Sequence, residues 1–265
     1  MSLQQHVNAS GFPLQLAIAN LVKRHSNGWT VLYEEHAWRS EHSSGFIDLV
    51  LEDRYKTWLM NIECKRVRDA DWIFLCEQSS SAARRHAKLW VTHMGADDSI
   101  RCFDWVDIPM DPPSPESHYC VVPGQDQKSR PMLERTAASV VESTEALALE
   151  EARSLSNRYS SLRIYQNVIV TTAALHVCEV DVDGIDMATG ELGSASAFKA
   201  VPFVRFRKQL GVVNRRDQRI THVQELRDSI KSTESTVFVV NAAHFSEFLQ
   251  ACELPDNIER YVTAR

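Results

Sequence analysis

The sequence has no surplus of positive charge. Its 29 Lys and Arg face 35 Asp and Glu, a formal net charge of −6. A generic basic coat for nucleic acid is thereby disfavoured, although metal-holding carboxylates add negative charge and local basic patches can still hold phosphates. No apolar run approaches the ~18 residues a membrane span needs. The start, MSLQQHVNASGF, lacks the basic and apolar regions of a signal peptide. The six cysteines (Cys64, Cys76, Cys102, Cys120, Cys178 and Cys252) include no close pair of the zinc-ribbon kind. His86, His93 and His176 likewise lack metal-ligand spacing, so no zinc site is expected. Gly184, Gly190, Gly193 and Gly211 make no phosphate loop, and no Walker, Rossmann or nucleophile-elbow pattern is present. A cytoplasmic protein with free thiols is expected.

What is present suits a folded α/β chain. Apolar residues make up 44% and charged residues 24%, enough for a sizeable core. The 265 residues fit one elaborated domain. Its core is placed at 11–67 and 130–181, with an insertion at 68–129 and a C-terminal extension at 182–265. Leu14, Ile18, Leu21 and Val22 form a helical stripe within 13–25, entered at Pro13 and stopped by Asn27 and Gly28. Strand-like runs follow at 29–38, 45–52 and 56–67, joined by links short enough for an antiparallel meander. The stretch FLCEQSSSAARRHAKLW reads as a helix, RCFDWVDIPM as a strand, and DPPSPESH and GQDQKSRP as loops. The strongest helix spans 130–157, with Leu133, Ala137, Val140, Thr144, Leu147 and Ala148 on one side. It leads into buried strands within 164–181, which suggests a crossover onto the same sheet. The tail reads as a strand at VPFVRFRKQL, a basic loop at NRRDQR, a short helix near 222–232, a strand at STVFVVN and a final helix at AAHFSEFLQAC.

Chemistry concentrates on the second and third strands. Alternation puts Trp58, Met60, Ile62 and Cys64 on one face and Leu59, Asn61, Glu63 and Lys65 on the other. In the second strand Ile47, Leu49 and Leu51 form the expected core face, and Asp48 stands opposite between Phe46 and Val50. An acid among apolar residues is costly without a partner. Meander strands ~4.8 Å apart bring Asp48 alongside Glu63 and Lys65. Two such carboxylates repel unless a cation lies between them, and hard oxygen ligands suit Mg²⁺ or Mn²⁺. The bland alternative is a solvated face with a Glu63–Lys65 salt bridge contributing under ~1 kcal/mol.

The pattern GFIDLVL, a turn, then NIECKR resembles the PD-(D/E)XK nuclease superfamily. Asp48 matches its Asp, Glu63 its second acid and Lys65 its Lys. The resemblance covers roughly residues 11–67 and 130–172. It implies a restriction-endonuclease-like core of helix, three-strand meander, helix and strand around a mixed central sheet. It also implies Mg²⁺-dependent hydrolysis of phosphodiester bonds, mostly in DNA, with Asp48 and Glu63 as metal ligands and Lys65 supporting the nucleophile. Ile47 stands where the family often has Pro, and Gln15 where members often carry a Glu on the first helix. Glu34 or Glu35 could compensate, since alternation turns only one of them toward the site; Glu35 or Gln15 would then assist catalysis.

Arg205, Arg207, Lys208, Arg215, Arg216 and Arg219 form a basic stretch able to grip phosphates or simply to be solvated. Arg84, Arg85 and Lys88 could add a second patch. His36 could be a ligand or a hydrogen-bonded surface residue. The rival functional readings are an inactive nuclease-like nucleic-acid-binding module and an interaction subunit, homodimeric or within a larger defence complex. No membrane partner is expected.

Overall fold

The computed structural model describes residues 2–25, 28–41, 43–68, 70–77, 83–95, 99–124, 131–154, 161–193, 196–210 and 234–263. Two helices open the chain, α1 (Leu3–Ala9) and α2 (Phe12–Arg24). Strands β1 (Trp29–Arg39), β2 (Ser44–Asp53) and β3 (Trp58–Lys65) then form an antiparallel meander. The β2–β3 turn is held by Asp53, whose Oδ1 accepts the N–H groups of Thr57 (2.8 Å) and Trp58 (2.9 Å). The long helix α3 (Met132–Ser154) returns the chain to β9 (Ser161–Thr171), which lies parallel to β3. This is the expected crossover: a meander strand, a helix, and a parallel neighbour.

The remaining strands are β4 (Asp71–Glu77), β5 (Arg84–Met94), β6 (Ile100–Ser114), β7 (Glu116–Ser117), β8 (Tyr119–Val121), β10 (Ala174–Val180), β11 (Ala197–Ala200), β12 (Phe203–Lys208) and β13 (Ser235–Asn241). The main sheet is mixed and nine-stranded, running β1-β2-β3-β9-β13-β12-β7, with β5 pairing to β9 and β6 to β5. A second sheet runs β11-β10-β4-β8. Two short helices, α4 (Phe245–Ala251) and α5 (Glu259–Thr263), close the chain. Among the described residues no helix is long and apolar enough to cross a membrane.

Both faces of the main sheet are covered. On one face Ile18, Ala19 and Val22 of α2 and Phe245, Phe248 and Leu249 of α4 pack on Leu49, Leu51, Met60, Ile62, Val168 and Phe238. On the other, Leu133, Ala137, Val140, Val141, Leu147 and Ala148 of α3 pack with Val50, Leu59, Tyr165, Ile169 and Val239. Trp72, Phe74, Leu175 and Val177 of the second sheet join that same core. A buried polar chain stitches α3 to the sheet. Asn61 Nδ2 donates to Val140 O (3.2 Å), Ser143 Oγ (2.8 Å) and Thr144 Oγ1 (2.6 Å). Thr144 passes its proton to Asn167 Oδ1 (2.7 Å), and Asn167 Nδ2 donates to Thr236 O (3.2 Å).

Several sequence expectations are corrected. The stretch read as a helix is instead β4 and β5, with 78–82 outside the described residues. Trp72, Phe74 and Cys76 alternate with less buried neighbours, so sheet pairing outweighs the helix-favouring Ala, Arg and Lys that follow. The proline-rich loop is largely strand: β6 runs through Pro112 and Pro113 to Ser114. Its ladder with β5 is interrupted between Pro109↔His86 and Ser114↔Arg84, so Pro112 and Pro113 fall where no ladder N–H is required. β5 of the expected insertion and β13 of the expected C-terminal extension both pair with β9, along the edge opposite β3. The expected stop at Asn27, most of GQDQKSRP, the NRRDQR loop with Arg215, Arg216 and Arg219, and the helix near 222–232 lie outside the described residues.

Asn61→Ala leaves buried hydroxyls and a carbonyl of α3 without their donor. It should lower unfolding free energy by about 2 kcal/mol in urea titrations.

Candidate active site

The β2–β3 ladder runs from Glu52↔Leu59 to Leu49↔Ile62. One step further the register would set Asp48 against Glu63. There β3 stays with β9, through Glu63↔Ile169, Cys64↔Val170 and Lys65↔Thr171, while β2 stays with β1, through Glu34↔Leu49 and His36↔Ile47. The two strands fork, and a side chain takes over from the ladder: Asp48 Oδ2 accepts the Cys64 N–H at 2.7 Å. At the fork Asp48 and Glu63 lie near enough to Lys65 for its charge to lower the pKa of both.

Simple alternation fails on β2. Ile47 joins Val50 in the α3-side core, whereas Leu49 and Leu51 face α2. The expected single core face of Ile47, Leu49 and Leu51 is therefore corrected. With both sheet faces covered, apolarity does not mark one side, and β2 changes direction at Asp48. Phe46, expected beside the acid in an apolar setting, is 62% exposed.

Burial, with help from neighbouring acids, raises both carboxyls. Glu63 is pushed up to about 7, first by burial, then by Asp48, with Lys65 opposing and Glu35 adding. Asp48 is also raised by burial and by Glu35, against the Cys64 N–H and Lys65. Neither Glu63 nor Lys65 forms an ion pair among the described residues, so the solvated salt bridge between them is not formed. Cys64 packs on the α2-side core, and burial drives its thiol upward, so it is no thiolate nucleophile.

Glu35, not Glu34, turns to the site. Its backbone is left-handed (φ 51°), and β1 slips register against β2 just before it, between Val31 and Tyr33. Gln15, buried on α2, donates Nε2 to Glu35 Oε1 (2.6 Å) and to the Asp48 carbonyl (3.0 Å). A glutamate at 15 would set carboxylate against carboxylate; the amide instead ties α2 to both site strands. Glu34 pairs with Lys23. His36 turns to α3, with Nε2 3.1 Å from Glu150 and its ring stacked on Tyr33.

Of the basic stretch, the described members Arg205, Arg207 and Lys208 are already engaged within the protein. Arg205 is fully buried, donating to Arg84 O (2.6 Å), Ser114 Oγ (2.8 Å) and Met110 O (3.0 Å), with its guanidinium over Phe238. Arg207 is held by Asp107 (3.0 Å) and Glu234 (2.9 Å), and Lys208 by Glu134. These cations sit in the sheet, where burial demands partners. In the second patch Lys88 is buried and Arg85 pairs with Asp111.

Sequence reasoning missed the half-buried knot at the far end of β9. There Arg163 bridges Glu52 and Glu151 at 2.7 Å each, and Tyr165 donates to Glu151 (2.6 Å). Glu52 lies 111 positions from Arg163, and Glu151 sits on α3 rather than on β9, so only tertiary packing unites them. Among the described residues no group of three or more His, Cys, Asp or Glu is arranged to hold a metal ion. No protein-family model, curated protein or solved structure matches this chain.

The raised Glu63 sets a pH signature. A carboxyl raised in the fold weakens stability above its folded value and not below its unfolded one. Glu63→Gln should therefore stabilise the metal-free protein by on the order of 2 kcal/mol at pH 8. That gain should shrink as pH falls through about 7 and vanish below 4.5, the ordinary value of a glutamate carboxyl. Thermal melts of both proteins across pH 4–9 check it.

Proposed function

We propose that this chain is a metal-dependent nuclease hydrolysing phosphodiester bonds, with DNA the expected substrate. The observation that carries the reading is the fork: β2 and β3 part just past Leu49↔Ile62, Asp48 bonds the Cys64 N–H between Glu63 and Lys65, and the charges of Asp48 and Lys65 both act on Glu63. The donor set fits a small hard cation. Burial and the Asp48 charge raise Glu63 in spite of Lys65, and the Cys64 N–H occupies only Asp48 Oδ2, leaving Oδ1. Mg²⁺ is commonly held by one or two carboxylates, with water and substrate phosphate completing its shell. Such a cation supplies Lewis-acid polarisation of the phosphoryl group and acidifies a bound water.

The chain's own groups then divide the work. Asp48 and Glu63 bind the cation. Lys65 orients the attacking water or offsets charge developing on phosphate. Gln15 is a positioning residue, since it fixes Glu35 and the Asp48 backbone together. A second reading, a nuclease-like binding or interaction subunit without activity, draws support from Gln15, which brings a neutral amide to the site.

Incubation with plasmid and single-stranded DNA in Mg²⁺ or Mn²⁺, against EDTA, separates the two. Cutting should require metal and fall by about 10²–10³ in Lys65→Ala and Glu63→Gln. Mn²⁺ should raise the thermal midpoint of the wild type but not of Glu63→Gln. No metal-dependent cutting together with no Mn²⁺ response identifies the inactive binding protein.

A further inference from the structure

A cleft of about 720 Å³ opens between the end of the β1–β2 hairpin and the last turns of α3. Trp38 forms part of its wall. Gly45 lies close against that indole, where a Cβ would meet Nε1 at 3.2 Å. Phe46 and Leu149 line it while 62% and 40% exposed. A phenyl ring left in water beside the hairpin that carries the site has no packing role. Arg39 and Arg153 also line the cleft, both exposed, and neither forms an ion pair among the described residues. The sole acid of the lining, Glu150, is bonded to His36. On a chain of net charge −6, this is a local surplus of guanidinium around an exposed ring.

That combination matches an unpaired nucleotide better than a duplex. Every base has a face that can stack on an aromatic ring, but only once it leaves its own stack, and arginines track the phosphates between stacked bases. The volume falls in the range of small-ligand pockets, about 300–1,000 Å³, and so suits one or two nucleotides. Phe46 stands two residues before Asp48, about 7 Å along the strand. We propose that this cleft holds a segment of single-stranded nucleic acid, with a base on Phe46 and its phosphates on Arg39 and Arg153. The inference deepens the nuclease reading by naming the strand state of the substrate, and rests on it for a biological role.

Binding is measured without cutting, by fluorescence anisotropy of a labelled oligo-dT 12-mer and a matched duplex in EDTA. The single strand should bind more tightly. Phe46→Ala should weaken it about tenfold, with Phe46→Trp restoring it. Phe12→Ala, at an equally exposed ring on α2, should change nothing. Arg153→Ala should lower the slope of log K against log salt by about 0.7. An unchanged affinity in Phe46→Ala, equal or tighter duplex binding, or no oligonucleotide binding overturns the proposal. If the single strand binds through Phe46 while no metal-dependent cutting occurs, the hydrolase reading falls and this one stands; cutting without that binding gives the reverse.

Discussion

One hydrogen bond organises the centre of the candidate site: the Cys64 N–H donated to the Asp48 carboxylate. Two neighbouring strands cannot part without orphaning backbone groups, and a buried orphan donor costs about as much as a lost hydrogen bond. Asp48 meets that demand at the point where β2 leaves with β1 and β3 continues with β9. The repair places a carboxylate at the mouth of the fork. Glu63 and Lys65 lie just beyond it because β3 keeps its pleat. The acid that closes the ladder is thus also the acid best placed for a cation.

The surroundings keep that fork open. α2 reaches it from one side through Gln15, which grips Glu35 and the Asp48 carbonyl together. α3 braces the other side through Asn61, two residues before Glu63, with three hydrogen bonds into the helix. Glu35 enters from β1 in a left-handed conformation that an ordinary strand residue avoids. Backbone strain of this kind persists where packing over-determines it. Burial on both faces also explains the chemistry. It raises Glu63 and Asp48, with Asp48 adding to the rise of Glu63 and Glu35 to that of both.

Cations divide by place. Arg205, Arg207 and Lys208 look like a binding stripe in the sequence, yet they serve the sheet, answering carbonyls and acids inside it. Arg39 and Arg153, separated by more than a hundred positions, come together in water beside Phe46. Sequence proximity of charge says little about which charge meets solvent, because solvent exposure is set by the packing of distant elements.

The sequence by itself determined the local elements and the spacing of the candidate site: the α2 stripe, the three-strand meander, the α3 face from Leu133 to Ala148, and the period-two placement of Glu63 and Lys65. These are short-range patterns, written in the spacing of neighbouring side chains. Tertiary structure alone decided the rest. It made strands of 84–94 by pairing them with β9, and seated β13 beside β9 at the centre. It turned Glu35 rather than Glu34 toward Asp48, and buried Arg205. Each of these depends on which strand finds which partner. Long-range pairing is settled by the free energy of the whole packed sheet, which no single segment encodes.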